Sequence, residues 1–291
     1  MNLLDVEIAD HIAVVRLNRP ASRNALNAEL VVRLAETWEG LSADADVRVI
    51  VLTGTGESTF CAGFDLASLI PLITGTRAPA DAWDEAVQAG GGLALAGRAT
   101  LRDCDPGRPI IVAANGHAIA GGFELLLAGD LRIVAAGARL GLSEVRLGLI
   151  PAMGGTARLA RQMPPALAAE MLLTGNPVSA ERALAAGFLN RVAPAAEVMN
   201  IAMEYARVSQ PTPRSQCAPR AKSCVALPIS PSGKRSILKT RTARPWHAHR
   251  TQWKGHAPLW RSVLRSSRAA EPSQKPESSS DAHKIVPRVA Q

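Results

Sequence analysis

The stretch Asn115-Gly-His-Ala-Ile-Ala-Gly-Gly-Phe-Glu-Leu-Leu-Leu-Ala-Gly-Asp130 constrains the fold of this chain more than any other. The apolar, partly β-branched run before it, residues 109–114 (PIIVAA), reads as a buried strand. Asn115-Gly116 turns the chain, and Gly121-Gly122 opens a helix that ends near Gly129. A glycine pair at a helix start lets a ligand approach the backbone and leaves amide N–H groups unpaired at the positive end of the helix dipole. Such an amide can serve as half of an oxyanion hole. The same helix carries Glu124 among apolar neighbours, where an unpaired charge is costly.

Glu144 stands in a second glycine-flanked frame, Gly141-Leu-Ser-Glu-Val-Arg-Leu-Gly148-Leu-Ile-Pro151-Ala-Met-Gly154-Gly155. Taken singly, each glutamate reads as the exposed face of an amphipathic element, as most glutamates are. The two frames together favour a different reading. Burial raises a carboxylate's pKa and suits it to proton transfer near neutrality. The second backbone donor is expected upstream. Residues 47–53 (VRVIVLT) form a strand, and the loop after it reaches Phe60-Cys-Ala-Gly63-Phe64-Asp65-Leu66, in which Gly63 can turn the Phe64 N–H toward a ligand. There is no Walker sequence and no G-x-G-x-x-G, so the usual phosphate cradles are unsupported. A G-x-S-x-G elbow is also absent.

The series Asn18-Arg-Pro20 with Asn24-Ala-Leu-Asn27, then residues 60–65, then Asn115 to Asp130, then Glu144 to Gly155, resembles the crotonase superfamily and within it the enoyl-CoA hydratase/isomerase group. The resemblance covers roughly residues 3–206. It implies a crotonase-type spiral of ββα turns, usually assembled as a homotrimer or a dimer of trimers. It implies an acyl-CoA substrate whose thioester oxygen is held by the amides of Phe64 and Gly121, with no separate cofactor and no metal. By position, Glu124 would orient and deprotonate the water adding at Cβ, and Glu144 would deliver a proton to Cα. Substrate contacts would come from Ala25, Ala62, Gly63, Asp65 and Leu66 upstream, and from Gly122 and Gly148 downstream. The expected reaction is hydration of a 2-enoyl-CoA to the 3-hydroxyacyl-CoA. The alternatives are an enoyl-CoA isomerase or another acyl-CoA lyase of the superfamily, or an inactive product. Two departures from the family pattern are mild: Ala120 replaces the first of three glycines, and Gly129 stands where cysteine is common. Residues 67–108, which shape the acyl pocket in this family, are less typical and leave the acyl group unassigned.

The remaining order along the chain fits. Leu4–Ile8 and Ile12–Leu17 read as paired strands. A helix is expected over 27–41 with Asn27 as N-cap, and others over 80–104, 156–163, 165–173, 179–186 and from Pro194. At 291 residues the chain can build one large core. No membrane span and no signal peptide is expected, and Cys61, Cys104, Cys217 and Cys224 lack metal-site spacing. A cytoplasmic location follows as the default.

Near residue 207 the chain changes character. The first 206 residues hold 16 Lys and Arg against 22 Asp and Glu; the last 85 hold 17 against 3. No lysine precedes Lys222, and 10 of the 20 prolines lie in this tail. Residues 1–206 therefore read as the catalytic core and 207–291 as a basic Pro/Ser/Arg-rich segment that cannot bury enough surface to fold alone. Three readings compete for it: an out-of-frame translation, a tail of no specific role, or a nucleic-acid-binding arm with interleaved Arg and Trp. The resemblance stops inside a helix and the body suggests GC-rich coding, which favours the first. Nucleic acid is accordingly not expected as a partner.

Overall fold

The computed structural model describes residues 2–210. The expectations for the basic tail from residue 211 onward lie outside the described residues.

Strands β1 (Leu4–Ala9) and β2 (Ile12–Leu17) pair antiparallel across a two-residue turn in which Asp10 and His11 both have positive φ. Helix α1 (Ala28–Ala43) begins at Asn27, whose side chain accepts from the Leu30 N–H at 3.1 Å, the cap expected from sequence. Strands then come in pairs: β3 (Val49–Gly54) with β4 (Thr59–Cys61), later β5 (Ile110–Ala114) with β6 (His117–Ile119), then β7 (Leu131–Ala135) with β8 (Arg139–Gly141). Between the first two pairs lie α2 (Leu69–Ile73), α3 (Ala82–Ala89) and α4 (Leu93–Ala99). Helix α5 (Gly121–Ala128) sits between the second and third pairs. After β8 follow a 3₁₀ turn (Glu144–Leu147), α6 (Gly155–Gln162), α7 (Pro165–Thr174), β9 (Val178–Ser179), α8 (Ala180–Ala185), β10 (Arg191–Ala193) and α9 (Ala195–Ser209).

Each pair gives its first strand to one sheet and its second to another. The larger sheet has the order β1-β2-β3-β5-β7-β10 and the smaller β4-β6-β8-β9. All pairings in the larger sheet beyond β1–β2 are parallel. This is the ββα repeat of the crotonase-type α/β fold. Parallel strands covered on both faces need apolar residues at every position, which explains why 49–52 and 110–114 read as continuous apolar runs. Alternation divides them: Ile50, Leu52, Val112 and Ala114 face the main core with Trp38, Phe60 and Phe123, while Val49, Val51, Ile111 and Ala113 face Val198, Ala202 and Ala206 of α9.

The long helix expected over 80–104 is two helices. Gly90-Gly91-Gly92 breaks it, with Gly91 and Gly92 at positive φ, conformations that glycine alone adopts without strain.

Candidate active site

The two frames meet because β6 and β8 run side by side. Ile119 pairs with Gly141, and the Ala120 N–H donates to the Gly141 carbonyl at 2.8 Å. Glu124 follows the first strand on α5 and Glu144 follows the second on the 3₁₀ turn. Parallel pairing of the strands thus places both carboxylates on the same side of the sheet end.

Helix α5 can start here only because its first residues lack side chains. A Cβ on Gly122 would lie 2.1 Å from the Cys61 carbonyl oxygen, so the helix is seated directly on the end of β4. Gly122 is buried, and its missing side chain serves this contact. A Cβ on Gly63 would lie 3.1 Å from the Gly121 nitrogen and 2.9 Å from the Ala120 Cβ. The Gly63–Phe64 peptide therefore abuts the helix start, with the Phe64 ring against Gly121. On the other side the loop is tied to Leu26, whose N–H donates to Gly63 O at 2.8 Å and whose carbonyl accepts from Asp65 N at 2.9 Å. Neither the Phe64 nor the Gly121 N–H donates to any group among the described residues. Two amides with no partner among the described residues thus lie in adjacent stretches of backbone.

Glu124 is 1% exposed. Its Oε1 accepts two backbone hydrogen bonds, from Met153 N at 2.7 Å and Gly155 N at 2.8 Å, leaving Oε2 uncommitted. Burial, opposed by the Gly155 amide and reinforced by the nearby charge of Glu144, pushes its pKa up to about 7. Glu144 is half-buried, and burial raises its pKa as well. Its Oε2 is shut off from solvent and has no hydrogen-bond partner among the described residues. A buried acceptor without a partner is uncommon and is free to accept from a bound water or substrate. The turn that holds Glu144 continues into Val145, Leu147, Leu149 and Ile150, all exposed apolar side chains.

The other expected contact residues fall on both sides of this centre. The Asp65 carboxylate accepts from Arg19 at 2.8 Å and from the Ala67 and Ser68 amides; burial raises its pKa, but Arg19 and Ser68 outweigh it and hold the carboxyl below the usual range. Arg19 also donates to the Ala25 carbonyl at 3.1 Å, and the Ala62 amide donates to Arg23 O at 3.0 Å. Leu66 is exposed, and Gly148 ends the 3₁₀ turn at φ 68° with open space around it. Burial pushes the Cys61 thiol up to about 12, so it is protonated and unreactive.

Several supporting residues carried no signal strong enough to be assigned from sequence. Gly155 is the clearest: a Cβ there would lie 2.8 Å from Glu124 Oε1, so the glycine makes room for the carboxylate its own amide binds. The Gly154-Gly155 pair was the available hint. Arg132 is buried and caps the far end of α5, donating to Leu126 O at 2.9 Å and Gly129 O at 2.7 Å, with its guanidinium over the Phe188 ring. Burial lowers its pKa to about 10, which still leaves it charged at neutrality.

Ala120 sits immediately before α5 at φ 51° and ψ −125°, a region that costs a residue with a side chain about 1–3 kcal/mol. Ala120→Gly should therefore stabilise the fold by about 1 kcal/mol once the entropy of the added glycine is offset. Denaturant unfolding checks this; a loss of stability would show that the alanine is unstrained.

A family model described as enoyl-CoA hydratase/isomerase matches residues 7–226. The (E)-benzylidenesuccinyl-CoA hydratase of Thauera aromatica is 38% identical over 201 residues, covering 69% of this chain and 73% of that protein. The carnitinyl-CoA dehydratase of Proteus mirabilis (strain HI4320) is 40% identical over 190 residues, 65% of this chain and 67% of that one. Among solved structures, a carnitinyl-CoA dehydratase from Mycobacterium avium 104 aligns with a TM-score of 0.67 and 31% identity over 79% of this chain and 84% of its own. An enoyl-CoA hydratase from Bacillus anthracis gives 0.66 and 32%, over 76% and 82%.

Proposed function

We propose that this chain, which belongs to the enoyl-CoA hydratase/isomerase family, adds water across the double bond of a 2-enoyl-CoA to give the 3-hydroxyacyl-CoA. The observation that carries the proposal is the pair of raised carboxylates beside two unpaired amides. One oxygen of Glu124 is held by backbone, and the buried Oε2 of Glu144 lacks a partner among the described residues. A water between the two carboxyls would satisfy both.

The chemistry follows from charge. As the water oxygen bonds to Cβ, Glu124 takes its proton, and electron density moves onto the thioester oxygen as an enolate. Amide dipoles fixed at Phe64 and Gly121 stabilise that oxygen more in the transition state than in the ground state. Glu144 then delivers its proton to Cα. The substrate carries coenzyme A, so no further cofactor is required. Ala25, Ala62, Gly63, Asp65 and Leu66 are proposed to line the thioester side, with Gly122 supporting the helix start and Gly148 beside Glu144. The assembly proposed for an intact C-terminus is a homotrimer or dimer of trimers. The division at residue 206 into core and basic tail is likewise a proposal, and sequencing the coding DNA around codons 200–215 tests the out-of-frame reading. Among the described residues no helix is long and apolar enough to cross a membrane.

Isomerisation of a 3-enoyl-CoA is the competing reaction on the same scaffold. The two are separated by offering the full chain 2-enoyl- and 3-enoyl-CoA thioesters and following the conjugated thioester absorbance: hydration consumes it, isomerisation creates it. The pH dependence carries a second expectation. Two raised, interacting carboxyls titrate as a pair, and the working form holds one proton between them. Below the lower pKa the pair takes up a second proton and loses its base; above the higher it loses the last proton and its acid. A bell-shaped kcat/KM is expected, with limbs at the pair's two apparent pKa values. The single proton rests mostly on Glu124, pushed up to about 7, and the working form is the tautomer that carries it on Glu144, so the alkaline limb lies near that value. A profile flat through that value would remove the carboxyl pair from the rate-limiting proton transfers.

A further inference from the structure

The loop that clamps Glu124 is itself held by a segment outside the family-like motifs. After α4 the chain makes a sharp corner at Leu101, buried and at φ 61°, followed by Arg102 and Asp103. Arg102 Nη1 donates to the Ala152 carbonyl at 2.8 Å and lies 3.8 Å from Met153 Sδ. Ala152 C=O and Met153 N–H are the two ends of one peptide group, and that N–H is one of the two donors on Glu124 Oε1. A guanidinium, a peptide and a carboxylate therefore stand in series. Arg158 fastens the corner from the other side, donating from Nη2 to the Leu101 carbonyl.

We propose that Arg102 is a positioning residue for Glu124, acting through the Ala152–Met153 peptide: the guanidinium holds and polarises the carbonyl end while the amide end holds the carboxylate. The consequence for Glu124 as the group acting on substrate water rests on the hydratase reading; the relay itself does not. Hydrogen bonds in series polarise one another, so a cation at the carbonyl makes the N–H a stronger donor. The relay favours the ionised carboxylate and opposes the burial that makes Glu124 hard to ionise. The charged groups acting directly on Glu124 are Glu144, which opposes its ionisation, and Arg158, which favours it; Arg102 reaches it only through the peptide. Asp103 pairs with Arg102 and also acts on Arg158, so it tempers both cations. Arg102 is partly exposed, which keeps its loss from being a simple core defect.

The test is a ¹³C carboxyl NMR titration of the full chain labelled at glutamate Cδ, the Glu124 resonance being identified by its disappearance in Glu124→Gln. Arg102→Gln should raise the Glu124 midpoint by about half a pH unit or more. Arg102→Lys, which keeps the charge and a donor, should stay near the parent, and the alkaline limb of kcat/KM should move with the midpoint in both variants. The proposal is overturned if Arg102→Gln titrates as the parent does, even with a lowered melting temperature, which would make Arg102 a structural clip only. It is also overturned if Arg102→Lys shifts as far as Arg102→Gln. The titration needs no turnover, so a chain that titrates as expected yet hydrates nothing would refute the hydratase reading and keep the relay.

Discussion

Replacing Glu124 or Glu144 with glutamine should each lower kcat/KM for 2-enoyl-CoA hydration by about 10²–10⁴-fold, the usual contribution of a positioned acid or base. Glutamine keeps size and hydrogen bonding, so the fold should persist. Its amide can still accept from Met153 and Gly155 at position 124, but it can neither take nor give the proton the reaction moves. The two losses should not add in the double variant, because a pair that shares one proton works as a unit. Steady-state kinetics with circular dichroism as a folding control checks this. Near-parent rates in either single variant would take that residue out of the mechanism.

The backbone donors give the second large effect. Gly121→Pro deletes an N–H without adding charge, and losing one oxyanion donor costs about 10²–10³-fold in kcat elsewhere. Proline is tolerated in the first turn of a helix, and the Gly121 N–H has no partner among the described residues to lose. Phe64→Leu keeps the other amide and changes only the ring that packs on Gly121, so it should be far milder. Rates and thermal melts for both variants decide the matter. Comparable losses in the two would mean that packing at this contact, and not the donor, controls the rate.

The candidate site was legible in the sequence because it is built from side chains and glycines. Glu124 and Glu144 stand out as charges in apolar frames, and Gly63, Gly121 and Gly122 mark where backbones touch. The large parallel sheet was legible at 47–53 and 109–114 for the same reason, since burial on both faces writes an unbroken apolar run. What was not legible depends on backbone atoms or on very short elements. The amides of Met153 and Gly155 that hold Glu124 have no side-chain signature. The strands of the smaller sheet are two or three residues long, too short for alternation to show. The helix expected over 80–104 went wrong because apolar spacing continues across Gly90–Gly92 while the backbone cannot. No sequence signal marks the carbonyls that Arg102 and Arg132 bind, and only the fold reveals them.

The most direct test of the central claim is turnover of a 2-enoyl-CoA by the full chain in ¹⁸O-water and D₂O, with the product analysed by mass spectrometry. Hydration by the carboxyl pair predicts ¹⁸O in the Cβ hydroxyl and one deuterium at Cα, with both labels lost in Glu124→Gln and Glu144→Gln. Deuterium without ¹⁸O, or no product across a range of acyl chain lengths, would contradict it.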